Sequence, residues 1–114
     1  MKMKLVVIVA LAMCGTLAQA ETRKFVMNTV EIDGVKMWLP STLIVKKGDE
    51  VEITATSRLG KGTIHGFAIK EFKVVESADE KGKVIKFTAD KAGIFSYFCQ
   101  LHPAHVGGQL LVLE

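Results

Sequence analysis

The chain has 114 residues, 49% hydrophobic and 24% charged, with two cysteines, three histidines and a formal net charge of +3. That suffices for one ordinary folded domain and excludes a multidomain enzyme, a disordered chain and a scaffold held by several disulfides.

In chain order, Met1-Lys2-Met3-Lys4 gives a basic start, Leu5 to Met13 an apolar run, and Ala18-Gln19-Ala20 a small-residue close. These are the three parts of a secretory signal, so residues 1–20 are expected to be cleaved and 21–114 to form a single exported domain, periplasmic or secreted. A retained membrane span would need about 20 apolar residues. Thr16 and Gln19 interrupt a segment already shorter than that, and Met13 stands where a lipidated Cys14 would need a small neighbour. Lys2 and Lys4 leave with the signal, which leaves 13 basic residues against 12 acidic ones. So even a balance argues against a nucleic-acid partner. Cys99 then stands alone in an oxidising compartment, where a single thiol is buried, intermolecular or held by a metal.

The remainder reads as short strands divided by turn chemistry. Lys24 to Val30 and Met37 to Leu39 flank a turn at Asp33-Gly34, and Pro40 suits an edge or a bulge. Leu43 to Val45 and the alternating Val51 to Thr56 flank Gly48, which permits a hairpin turn. Ser57 to Thr63 is a loop, Ile64 to Phe72 a strand, and Glu76 to Lys83 a polar connection. Val84 to Thr88, Ile94 to Phe98 and Leu110 to Leu113 complete about seven or eight strands, the pattern of an all-β Greek-key β-sandwich. Trp38, Phe67, Phe95, Tyr97 and Phe98 are expected in its core, with Phe98 on the face opposite Tyr97 and Cys99.

Chemistry concentrates in Phe98-Cys99-Gln100-Leu101-His102-Pro103-Ala104-His105, a loop between two predicted strands. A cysteine with histidines three and six residues later can converge on one point because the sheet fixes both loop ends. Thiolate with imidazole suits copper or zinc, whereas calcium or magnesium would call for clustered carboxylates. His65, the remaining histidine, opens a strand after the glycine-bearing loop and can lie at the same end of the sandwich. Gln109 is a further, weaker oxygen donor.

Lys46-Lys47-Gly48-Asp49, His65-Gly66-Phe67, and Phe87 to Gly93 leading into Tyr97-Phe98-Cys99-Gln100-Leu101-His102-Pro103 together resemble the cupredoxins over nearly all of residues 21–114. Within that family the nearest likeness is to red copper proteins of the nitrosocyanin type, with similarity also to the cupredoxin domains of nitrous oxide reductase and cytochrome oxidase subunit II. The resemblance implies Cys99 and His102 as the loop ligands and His65 as the upstream ligand. It departs from the nitrosocyanin type in two places, since a glutamate stands there at the position of His65 and the loop there is longer. His105 occupies the place where short-loop blue copper proteins carry an axial methionine, which makes it the fourth candidate. A dinuclear centre would need two loop cysteines and is excluded.

The expected function is that of a mononuclear copper protein, one ion alternating between Cu(I) and Cu(II), that carries single electrons to a redox partner protein. The alternatives are an open red-copper site that binds or converts a small molecule such as nitric oxide, and a copper carrier or storage protein. Self-association into a homo-oligomer is compatible with the sequence.

Overall fold

In Val51 to Thr56 apolar and polar side chains alternate, and the extended backbone sends them to opposite faces. Val51, Ile53 and Ala55 are buried, whereas Glu52 and Thr54 are half-buried on the outer face. A computed structural model describes residues 3, 4 and 20–114. Apart from Met3, Lys4 and Ala20, the predicted signal, Cys14 included, lies outside the described residues.

Nine strands occur among the described residues: β1 Thr22–Ile32, β2 Val35–Leu39, β3 Thr42–Lys46, β4 Glu50–Thr56, β5 His65–Ile69, β6 Val74–Ala78, β7 Lys83–Thr88, β8 Gly93–Tyr97 and β9 Gly108–Leu113. One sheet has the order β2-β1-β4-β7 and the other β3-β9-β8, while β5 and β6 form a pair of their own. That pair joins the second sheet where Ala68 and Phe98 exchange two backbone hydrogen bonds of 2.9 and 3.1 Å. The β1–β4 and β3–β9 pairings are parallel and the others antiparallel.

Between the sheets lies the core, with Met27, Trp38, Val51, Ile53, Ala55 and Ile85 facing Leu43, Val45, Tyr97, Leu110 and Val112. Full burial of a Val, Leu, Ile or Met side chain of this kind stabilises the fold by about 1.5–3 kcal/mol. Trp38, Phe67 and Tyr97 are buried as expected, but Phe95 only packs against the core margin and Phe98 is half-buried outside it. The alternation that turns Tyr97 and Cys99 inward turns Phe98 outward.

Asp33 and Gly34 adopt φ of 51° and 79° and join the antiparallel β1 and β2, the primed turn that matches strand twist. Gly48 does not make a hairpin, because β3 and β4 belong to different sheets. Its φ of 94° and its 2.8 Å bond to the Ala89 carbonyl instead turn the chain from one layer to the other. Pro40 likewise lies in the connection from β2 to β3. Lys70–Phe72 is a single 3-10 turn rather than strand, and Lys73 at φ 55° reverses the chain into β6. Strand β6 falls partly in the expected polar connection because its Val75 and Ser77 face solvent at the sheet margin.

Asp49 secures the layer crossing. Its buried carboxylate accepts from the backbone N–H of Lys46 at 2.9 Å and of Glu21 at 3.1 Å, and from Arg23 Nε at 3.3 Å. The Lys46 and Glu21 donors, aided by the Arg23 charge, outweigh burial and hold its pKa below the ordinary 3.8. A lowered carboxylate pKa contributes stability that is present above the unfolded value and lost as pH falls through the folded one. The urea midpoint is therefore expected to fall as pH drops below about 4, and more steeply than in Asp49→Asn. Equal slopes for the two proteins would contradict this role.

Candidate metal centre

His65 is the first residue of β5, a strand buried along its whole length, paired with β6 along one edge and bridged to Phe98 along the other. Cys99 follows β8 by two residues, and alternation from Tyr97 brings it inward to 2% exposure. The Ala68–Phe98 bridge fixes the thiol beside β5. Beyond it the chain folds in two tight turns, with His102 N–H bonding the Cys99 carbonyl at 3.2 Å and His105 N–H bonding the His102 carbonyl at 3.0 Å. Val106 N–H then donates to the Lys36 carbonyl at 3.0 Å, clasping the end of the loop to β2.

This path brings all four sequence-predicted residues together. The ligand-capable atoms of His65, Cys99, His102 and His105 lie within 4.8 Å of one another. Cys99 Sγ stands 3.4 Å from His102 Nδ1. The ring centroids of His65 lie 5.4 Å from His102 and 5.2 Å from His105, and those two rings stack at 4.6 Å. His65 is buried, His105 half-buried and His102 exposed, so the cluster runs from the interior to the surface. Gln109 lies outside it on β9, where its amide donates to Thr42 Oγ1 at 3.3 Å.

Burial pushes the pKa of His65 below its ordinary value, and any charge on His105, His102 or Lys36 lowers it further. Burial does the same to His105, with His102 and Lys36 adding to it. Both rings are thereby favoured as neutral imidazoles, the form that donates a lone pair to a metal. The Nδ1 atom of His65 is buried without a hydrogen-bond partner among the described residues. Such an atom is costly unless something binds it. A neutral ring with an unspent nitrogen, beside a thiol and two more imidazoles, fits a thiophilic or borderline metal ion.

Sequence reasoning did not reach the supports of the cluster. Trp38 meets the His65 ring edge to face at a centroid distance of 6.4 Å, and its Nε1–H donates to the Gly66 carbonyl at 2.8 Å. The Gly66 N–H donates in turn to Cys99 Sγ at 3.1 Å. A lone tryptophan and a glycine after a histidine offered the only signal for these contacts, and either is ordinary in a strand.

A two-layer β-sandwich that gathers one cysteine and three histidines at one end defines a metal-site β protein. The chain belongs to the cupredoxin-like domain family, whose sequence profile matches residues 4–112. No curated protein matches the sequence. Among solved structures, a copper nitrite reductase from Nitrosomonas europaea superposes with a TM-score of 0.66 at 20% identity. The match covers 81% of this chain and 41% of that one, so the likeness concerns the fold and less than half the length of the reductase.

Proposed function

We propose that this is a periplasmic mononuclear copper protein that passes single electrons between redox partner proteins. The observation that carries the reading is the convergence of His65, Cys99, His102 and His105 within 4.8 Å on an assembled frame. One thiolate with two or three imidazoles is a donor set suited to copper, and the copper nitrite reductase neighbour supports copper over zinc.

When bound, copper supplies one-electron chemistry between its +1 and +2 states. His65 offers a neutral nitrogen from the rigid interior of β5, and Cys99 a sulfur already hydrogen-bonded by Gly66. His102 and His105 are held by consecutive turns whose far end is clasped to β2. Because strands and backbone hydrogen bonds set these positions, little rearrangement accompanies a change of charge at the site. The exposed His102 ring brings one edge of the cluster to the surface, where a partner can approach.

The same exposure of His102 favours, as second reading, a nitrosocyanin-type site open to a small ligand. Optical and electron paramagnetic resonance spectra of copper-loaded protein, with and without azide, separate the two. Electron transfer predicts an intense thiolate charge-transfer band that azide leaves unchanged. A red, tetragonal spectrum that shifts on adding azide would support the open site instead, and rapid loss of copper to a chelator would support a carrier.

A further inference from the structure

Gln100 follows Cys99 directly, yet its side chain leaves the loop and crosses the β5–β6 pair. Its Nε2 donates to the Glu76 carbonyl on β6 at 2.9 Å. Its Oε1 is buried with no hydrogen-bond partner among the described residues and rests against the α-carbon of Gly66. A Cβ built on Gly66 would stand 2.2 Å from Oε1 and 3.0 Å from the Gln100 backbone nitrogen. The Glu76 carbonyl orients the amide, because the exchanged orientation would set two acceptors against each other. An unspent buried oxygen costs stability that an apolar side chain of the same length would not incur. The arrangement therefore points to a gain elsewhere.

That gain lies at Cys99. On one flank, Phe98 is bridged to Ala68; on the other, Gln100 is tied to Glu76 across Gly66. Gly66, whose N–H meets the sulfur at 3.1 Å, has the Gln100 amide and backbone packed against the face that a Cβ would occupy. We propose that Gln100 is a positioning residue that holds the Gly66 N–H on the Cys99 sulfur and so sets how strongly the thiolate donates to its metal. The first half concerns the polypeptide alone; the second rests on the copper reading. A hydrogen bond to a ligating sulfur withdraws electron density from it, favours the reduced ion and tunes the potential.

Two variants test this. Gln100→Met keeps the length of the side chain and removes its amide, whereas Gln100→Ala removes both. In metal-free protein the Gly66 amide is expected to exchange with solvent about tenfold faster in each variant, with the Ile53 and Leu110 amides still protected. Copper-loaded variants are expected to show a lower reduction potential and a charge-transfer band at longer wavelength than wild type. Unchanged Gly66 exchange, protection lost equally at Ile53 and Leu110, or Gln100→Met indistinguishable from wild type overturns the proposal. Wild-type protein that takes up no copper would sink the copper reading, while Gly66 exchange would still decide the role of Gln100.

Discussion

Replacing Cys99 with serine is expected to abolish the visible charge-transfer absorption of the copper-loaded protein and to weaken copper binding by more than 100-fold. Loss of an outer-shell partner of a metal ligand costs about 10–100-fold in affinity, and Cys99 is the only sulfur donor among the four clustered residues. The fold should survive, because serine can still accept the Gly66 N–H that now reaches Sγ at 3.1 Å. Far-ultraviolet circular dichroism would show that retention, and titration against a competing chelator would give the affinity. A serine variant that keeps the band would remove Cys99 from the site.

Trp38→Ala carries the largest expected effect on stability. Trp38 is 2% exposed and meets the Phe67 ring edge to face at 5.8 Å, in addition to its contacts with His65 and Gly66. Truncating a buried aromatic of this kind costs about 3–5 kcal/mol. Trp38→Phe retains most of the packing but leaves the Gly66 carbonyl without its donor, at a cost of about 1–3 kcal/mol. Urea unfolding of the metal-free proteins measures both. Copper affinity should fall in parallel, since β5 carries His65 and Gly66 and leans on Trp38. If Trp38→Ala cost less than about 1 kcal/mol, Trp38 would not be the support described.

The layered β fold was legible where side-chain alternation was long enough to read. Val51 to Thr56 shows it, and Tyr97-Phe98-Cys99 shows both the strand end and the inward turn of the thiol. Spacing of Cys99, His102 and His105 revealed the loop part of the cluster, because short turns necessarily return such residues to one place. Recruitment of His65 was reached through family resemblance, since nothing local to that strand states which loop it faces.

Other features were hidden because the same residues serve different geometries. Gly48 turns a chain equally well within a sheet or between sheets, and only the partners of β3 and β4 distinguish the two. Strand β6 has outward Val75 and Ser77 and a single half-buried Glu76, so its short alternation resembles a connection. Gly66 and Gln100 carry no periodic signal, because their roles come from contacts between segments distant along the chain.

His65, Cys99, His102 and His105 are proposed to hold one copper ion between them. X-ray absorption at the copper edge, on protein loaded with one equivalent, tests it most directly. Saturation is expected at one copper per chain, with a single sulfur scatterer and an imidazole contribution that falls when His65 is changed to alanine. A spectrum without sulfur, or one with a short copper–copper distance, would contradict it.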